Sequence, residues 1–102
     1  MLHRLAAVLV LALALLLQGQ AAEKSIMVLG DSMSEGFGIA VAQSWPVLLG
    51  ERLRAAGSPF SVANASISGE TTAGGRARLG AALQHFHPAL VILALGPNDG
   101  LR

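Results

Sequence analysis

Residues 25–34 of the chain read Ser-Ile-Met-Val-Leu-Gly-Asp-Ser-Met-Ser, a short apolar run that ends in a glycine, an aspartate and a serine. The run Ser25–Leu29 has the length of a buried β-strand, and Gly30 begins a turn. Apolar runs of similar length follow at Phe60–Ala65 and Ala89–Leu95. Segments with helical periodicity separate the three runs. The sequence therefore predicts an α/β fold with the element order β-α-β-α-β.

The two intervening segments are predicted to be helices. The first begins after a capping Ser44, has Pro46 in its first turn and ends at Gly57. The second ends before Pro88. The apolar residues that recur at helical spacing are Trp45, Leu48, Leu49 and Leu53 in the first segment, and Leu79, Ala82, Leu83 and Phe86 in the second.

The connections between the strands limit the topology of the sheet. Strand-helix-strand connections between parallel strands are nearly always right-handed, so two helices on opposite faces give the strand order 2-1-3. The third strand is apolar at every position, which is typical of a parallel strand covered on both faces by helices. If these three strands alone form the sheet, however, the third strand is expected to be an exposed apolar edge. In this order, ligands bind beside the first strand, past the carboxyl ends of the strands. The three loops that follow the strands are expected to converge there.

Each of the three loops offers one group that is suited to acyl transfer. Ser32 can act as a nucleophile, Gly69 has a backbone N–H that no side chain shields, and Asn98 can donate an amide N–H to a developing oxyanion. Each group also has a local structural explanation. Ser32 could cap a helix, Gly69 could belong to an ordinary turn, and the side chain of Asn98 could bond to the backbone of its own turn. Their occurrence in consecutive loops at one edge of the sheet favours a hydrolase.

Two other motifs are incomplete. Residues 69–76 (GETTAGGR) superficially resemble a phosphate-binding loop, but Gly75 and Arg76 stand where that loop requires a lysine and a serine or threonine. Nucleotide binding is therefore not expected. The G-x-S-x-G elbow of α/β-hydrolases is also missing, because no glycine follows Ser32 at the second position.

The blocks GDSMS, NASISGET and LGPNDGLR resemble the first three signature blocks of the SGNH (GDSL) hydrolase family, in order and at suitable separations. The resemblance is closer to its bacterial periplasmic acyl-CoA thioesterase, lysophospholipase and arylesterase group, and it covers Ile26–Arg102. It implies a three-layer, flavodoxin-like fold. It also implies that Ser32 is the nucleophile and that the oxyanion hole consists of the N–H groups of Ser32 and Gly69 and the side chain of Asn98. The implied substrates are small esters or thioesters, cleaved through an acyl-enzyme without a metal or cofactor.

The SGNH family completes its active site with a later D-x-x-H block. By this resemblance, the block is expected beyond Arg102. His85 and His87 end the second helix, so they are expected at the edge of the sheet opposite Ser32, where a histidine more often complements the helix dipole. Residues 22–102 are therefore expected to be the N-terminal portion of a hydrolase domain, inactive alone although the complete protein is active. The alternative is an acyl- or anion-binding remnant that performs no turnover.

Residues 1–21 are expected to be a secretory signal peptide. A basic start at Met1–Arg4 precedes the apolar run Leu5–Leu17, which is shorter than the ~18 residues that span a bilayer. Small residues allow cleavage after Ala21 or Ala22. A periplasmic or secreted protein without a stable membrane anchor is expected.

The charge balance and the absence of cysteine exclude several classes of partner. The chain has seven lysines and arginines and six acidic residues. Because one of the basic residues, Arg4, belongs to the predicted signal, no net charge remains to attract nucleic acid or an anionic membrane. Without cysteine, disulfides, thiolate metal sites and a cysteine nucleophile are excluded.

Overall fold

The computed structural model describes residues 24–101 of the chain. The predicted secretory signal lies outside the described residues. The described part consists of strands, helices and short 3₁₀ turns that alternate along the chain. They are β1 (Lys24–Gly30), α1 (Ser32–Glu35), a 3₁₀ turn at Val41–Gln43, α2 (Trp45–Ala55), β2 (Phe60–Asn64), α3 (Thr72–Phe86), β3 (Leu90–Ala94) and a second 3₁₀ turn at Pro97–Leu101.

The strands form one parallel sheet in the order β2-β1-β3, which confirms the predicted order 2-1-3. Met27 in the middle of β1 pairs with Ala63 of β2 on one side and with Val91 of β3 on the other. The connection from β1 to β2 and the connection from β2 to β3 cross the sheet in opposite directions. Right-handed crossovers therefore place α2 and α3 on opposite faces.

The central strand β1 forms the core of the described part of the chain. Met27, Val28 and Leu29 are fully buried. Because consecutive side chains of a strand point to opposite faces, three buried residues in a row require cover on both faces of the sheet. On the α3 side, Gly75 lies against this face, since a Cβ atom at that position would be 3.8 Å from Leu29 Cδ2 and would require the side chain of Leu95 to move.

Strand β3 is the exposed apolar edge that was expected for these three strands alone. It is apolar at every position, which is typical of a strand covered on both faces, but Leu90 is 53% exposed and Leu93 is 61% exposed. The exposed edge that was expected for these strands alone is therefore confirmed, whereas cover on both faces is not present among residues 24–101. The physical reason is the position of β3 at the edge of the sheet, where only β1 flanks it.

Helix α2 begins where it was predicted, but its first turn is not capped by the predicted side chain. Ser44 occupies the N-cap position, yet its hydroxyl donates to the carbonyl of Val41 at 2.7 Å and makes no bond to the helix. The preceding 3₁₀ turn supplies this nearer acceptor, so the capping prediction for Ser44 is wrong. At the other end, Gly57 adopts a left-handed conformation with φ of 70°, and Ser58 N donates to Leu53 O at 2.9 Å. This is a Schellman ending, as expected for a glycine after a helix.

Helix α3 ends at the predicted point without a glycine. His87 takes the left-handed conformation with φ of 45°, its N–H donates to the carbonyl of Leu83, and Pro88 follows. Of the predicted apolar face, Ala82 is buried, whereas Leu83 is 38% exposed. The helix therefore packs through a narrower stripe than its sequence periodicity indicates.

Gly30 provides a test of how tightly the end of β1 is packed. A Cβ atom at position 30 would lie 2.5 Å from Ser34 Oγ and 3.1 Å from the carbonyl oxygen of Ala94. Since the second contact is with backbone, we expect Gly30→Ala to lower the free energy of unfolding by about 1–3 kcal/mol. Urea denaturation of the protein expressed from its complete reading frame measures this change.

Gly50→Ala is the matched control, because the nearest atoms to a Cβ at position 50 belong to Val62, at 3.8 Å and beyond. The control lies in α2, where alanine is preferred over glycine, so we expect about 0.5–1 kcal/mol of added stability. Equal effects of the two substitutions would contradict the packing described for Gly30.

Candidate active site

The three residues predicted to carry the chemistry follow the carboxyl ends of the three strands. Ser32 is the first residue of α1, directly after β1, whereas Gly69 lies in the loop after β2 and Asn98 in the 3₁₀ turn after β3. Because the strands are parallel, these ends meet at one edge of the sheet, which is where open α/β sheets bind ligands. The predicted convergence of the three loops is thus present in the fold.

In the turn that carries Ser32, the neighbouring polar side chains have structural roles. Asp31 is 4% exposed and caps α1, since its Oδ1 accepts a hydrogen bond from Met33 N at 3.1 Å. Ser34 is 1% exposed, and its Oγ accepts from the indole nitrogen of Trp45 at 3.1 Å. The half-buried Ser32 has no side-chain partner within residues 24–101. The helix-cap role therefore belongs to Asp31, and among residues 24–101 the hydroxyl of Ser32 does not take part in capping.

The first two loops are joined by hydrogen bonds that extend the sheet beyond the end of β2. Ile67 N donates to Gly30 O at 3.0 Å, and Gly30 N donates to Ser66 Oγ at 3.0 Å. The Ser66 hydroxyl thus replaces the carbonyl that a regular strand would offer at this point. Asn64 adds a side-chain bond to Ser34 O at 2.8 Å. The position of the Ser32 turn is therefore fixed by the second loop.

Gly69 is held through both of its neighbours. On one side, Ser68 N donates to Glu35 Oε2 at 2.5 Å, and the Ser68 hydroxyl bonds to the same oxygen. On the other side, the carbonyl of Glu70 accepts from Asn98 Nδ2 at 3.0 Å. These bonds connect the helix that begins at Ser32, the Gly69 loop and the Asn98 turn. Gly69 itself has φ of 81°, a left-handed conformation that glycine adopts without strain.

The backbone donors at this edge are free of acceptors. Among residues 24–101, neither the N–H of Ser32 nor the N–H of Gly69 donates to a protein oxygen. Asn98 uses one amide hydrogen on Glu70 and, because an amide nitrogen carries two, keeps a second. The local alternative, in which Asn98 bonds to its own turn, is not what the structure shows. This edge of the sheet therefore carries three N–H groups without a protein acceptor among the described residues.

Asp99, next to Asn98, is a further residue that fixes this site. Its carboxylate accepts from Thr72 N and from Thr72 Oγ1, both at 2.8 Å, so it ties the Asn98 turn to the start of α3. The sequence alone predicts no role in the site for Asp99, Glu35, Glu70 or Arg78. Their charges beside the recognised blocks are the one signal that could have indicated such a role.

The two histidines of the described chain lie at the other edge of the sheet, as predicted. His87 precedes β3, and Ala89 N donates to Ser25 O near the start of β1. Ser32 follows the far end of β1, roughly 20 Å away at ~3.3 Å per residue. Within the described residues, no histidine approaches Ser32. The same part of the chain contains no group of three or more histidine, aspartate or glutamate side chains placed to hold a metal ion.

The family model of the GDSL-like Lipase/Acylhydrolase family matches residues 28–102. The chain belongs to this family. The match includes Ser32, Gly69 and Asn98 together with the loops that carry them, and it confirms the predicted resemblance.

Similar proteins agree with this assignment in sequence and in fold. Esterase TesA of Pseudomonas aeruginosa is 53% identical over 92 residues, which cover 90% of this chain and 45% of that protein. Thioesterase 1/protease 1/lysophospholipase L1 of Escherichia coli K12 is 45% identical over 82 residues, which cover 80% of this chain and 38% of that protein. The chain thus spans less than half the length of these curated relatives.

Solved structures show the same fold. The crystal structure of TesA has a TM-score of 0.74 at 51% identity, over 78% of this chain and 44% of that one. The SGNH-hydrolase family esterase AlinE4 has a TM-score of 0.71 at 38% identity, over 78% and 43% of the two chains. The predicted α/β fold of SGNH hydrolases is confirmed.

Ser66 provides a test of the junction between the first two loops. Ser66→Ala removes the acceptor of the N–H of Gly30, a buried residue, and an unsatisfied buried donor costs about 1–3 kcal/mol. We expect a fall in the free energy of unfolding of this size, measured by urea denaturation.

The matched control is Ser61→Ala, since the exposed Ser61 hydroxyl makes only a 3.4 Å bond to Lys24 O. We expect the control to change stability by less than about 0.5 kcal/mol. A similar effect of both variants would show that the Ser66 hydroxyl is not needed.

Proposed function

We propose that the complete protein hydrolyses small carboxylic esters or thioesters through an acyl-enzyme formed on Ser32. The observation that carries the proposal is the set of N–H groups at the edge of the sheet, because Gly69 is held between the Ser32 helix and the Asn98 turn while its own N–H has no protein acceptor among the described residues. Relatives named as an esterase, an arylesterase and a thioesterase or lysophospholipase support the substrate class.

In the proposed reaction, Ser32 Oγ attacks the carbonyl carbon of the substrate and forms a tetrahedral intermediate. The negative charge on the former carbonyl oxygen is stabilised by the N–H groups of Ser32 and Gly69 and by the free amide hydrogen of Asn98. Collapse of the intermediate breaks the bond to the alcohol or thiol, which leaves with a proton, and water then hydrolyses the acyl-enzyme. The chemistry of the donors calls for no metal or cofactor.

Deprotonation of Ser32 requires a general base, which we propose to lie in a D-x-x-H block beyond Arg102. This part of the proposal is supported by the distance of His85 and His87 from Ser32 and by the share of the relatives' length that the chain spans. Under this proposal, residues 22–102 are the N-terminal portion of the hydrolase domain.

The substrate's acyl or aryl group is proposed to contact the apolar side chains beside the nucleophile. Met33 and Phe37 lie one and five residues after Ser32 and are 77% and 78% exposed. Large exposed apolar side chains next to a reactive group are suited to bind an apolar substrate portion. The proposed partner is thus a small acyl ester or thioester, and the balanced charge of residues 22–102 gives no reason to propose a nucleic acid.

Export to the periplasm or the exterior is proposed from the basic and apolar pattern of residues 1–21, with cleavage after Ala21 or Ala22. In the described part of the chain, none of the helices has the length and hydropathy to cross a bilayer.

The first prediction of this proposal concerns the nucleophile. In the protein expressed from its complete reading frame, Ser32→Ala should lower kcat for a p-nitrophenyl acyl ester by about a millionfold, because the acyl-enzyme cannot form. Ser61→Ala, at the other end of the sheet, should retain the wild-type rate. Substantial turnover by the Ser32→Ala variant would exclude the acyl-enzyme mechanism.

The second prediction concerns the polypeptide of residues 22–102 alone. We expect it to hydrolyse the same ester negligibly, since a triad enzyme without its base retains only about 1,000-fold acceleration over water. The measurement compares the initial rates of this polypeptide and of its Ser32→Ala variant. A large rate that depends on Ser32 would show that the base lies within these residues. Ester binding without turnover by the complete protein would instead favour the binding remnant.

A further inference from the structure

Glu70 belongs to the segment GETTAGGR, which lacks the residues of a phosphate loop, and it forms a partly buried ion pair with Arg78, two residues beyond that segment. Arg78 Nε lies 2.6 Å from Glu70 Oε2, and the two side chains are 29% and 12% exposed. Arg78 Nη2 also donates to the carbonyl of Ala65 at 2.8 Å. One guanidinium therefore contacts the second loop at two points, before and after Gly69. Charge-assisted bonds of this kind are about twice as strong as neutral ones.

Gly74 provides the space for this ion pair. A Cβ atom at position 74 would overlap Glu70 Oε1, so only glycine lets the carboxylate lie against the first turn of α3. A carboxylate is also favoured there by the partial positive charge of a helix N-terminus. By contrast, a Cβ at Gly80 in the same helix would have no atom within 4 Å. The first glycine of the GG pair therefore has a function that the phosphate-loop comparison did not suggest.

The backbone of Glu70 connects the ion pair to the oxyanion donors. Its carbonyl accepts the hydrogen bond from Asn98 Nδ2 at 3.0 Å, and its N–H donates to Ile67 O at 3.2 Å. Glu70 also directly follows Gly69. A shift of Glu70 would therefore move the acceptor that orients the Asn98 amide and would rotate the peptide that adjoins Gly69.

We propose that Arg78 is a positioning residue for the oxyanion hole, acting through Glu70 on Asn98 and Gly69. This inference rests on the proposed function, because it assigns the ion pair to the reaction that Ser32 performs. Arg78 is suited to this role because its guanidinium is a rigid fork, with Nε on the carboxylate and Nη2 on the Ala65 carbonyl. The ammonium group of lysine does not reproduce that geometry.

The test is a double-mutant cycle in kcat on the protein expressed from its complete reading frame, with a p-nitrophenyl acyl ester. Asn98→Ala should lower kcat by about 100- to 1,000-fold, as expected for one oxyanion donor. Arg78→Ala should lower kcat by about 10- to 100-fold through misplacement of the donors, with KM changed by less than about threefold. In the Asn98→Ala background, Arg78→Ala should cost less than about threefold in kcat, because its main target is gone.

The outcomes separate the two proposals. If Asn98→Ala leaves kcat unchanged, the oxyanion assignment of the proposed function is wrong. If Asn98→Ala lowers kcat but the Arg78→Ala effect is the same in both backgrounds, the oxyanion assignment stands and the positioning role of Arg78 is overturned. A merely structural role of Arg78 predicts this second result, since lost stability does not depend on the side chain at position 98.

Gly74→Ala tests the same proposal without removing a charge and without depending on the folding of the Arg78 variant. The added methyl group displaces the Glu70 carboxylate, so kcat should fall by about 10- to 100-fold although alanine favours the helix. Gly80→Ala is the matched control and should leave kcat unchanged. Wild-type kcat in the Gly74→Ala variant would overturn the proposal.

Discussion

The parallel pairing of β2 and β3 on the two sides of β1 is the constraint on which the site depends. Parallel strands end at the same edge of a sheet, so every loop that follows a strand starts from that edge. The full burial of Met27, Val28 and Leu29 fixes β1 against both neighbours and both helical layers. Ser32 therefore lies at a defined point, two residues after the end of β1. The other two loops reach it without any contribution from the opposite edge.

Loops at such an edge would still be mobile without further bonds, because they extend past the sheet ladder. The structure fixes them with side chains placed at each junction. Ser66 bonds the end of β1, Glu35 bonds the residue before Gly69, and Asp99 bonds the start of α3. These bonds are made before any substrate arrives. In the proposed reaction, donors that are already oriented need no reorganisation when charge develops, which is the condition for effective electrostatic stabilisation.

Much of the fold follows from local patterns in the sequence. The apolar runs predict the strands to within a residue, and right-handed crossovers then allow the observed order. The composition of β3 alone indicates cover on both faces, and it was the predicted strand order that indicated the exposed edge, because the exposure of a strand depends on its position in the sheet. The prediction that the Ser44 side chain caps α2 was wrong for a related reason, because the Ser44 hydroxyl bonds to the carbonyl of Val41 in the adjacent turn.

The site was predictable only in part. Ser32, Gly69 and Asn98 belong to recognisable blocks, and the parallel sheet brings their loops together. The residues that hold them pair across larger separations. Asn98 bonds a carbonyl 28 residues away, and Arg78 pairs with Glu70 across the junction of a loop and a helix, not at the i to i+4 spacing of a single helix. Such partners become visible only when the tertiary structure is known.

The charges around Gly69 also need an explanation, because carboxylates beside the proposed oxyanion site would oppose its chemistry. Two unit negative charges ~8 Å apart repel by roughly 2 kcal/mol at an effective dielectric constant of ~20. Glu35 and Glu70 stand on either side of the Gly69 loop, and each carboxylate is engaged. Glu35 accepts two hydrogen bonds from Ser68, and Glu70 is paired with the cation of Arg78. The same bonds that orient the N–H donors thus reduce the field that would weaken them. Orientation and charge compensation at this edge are therefore consequences of one set of contacts.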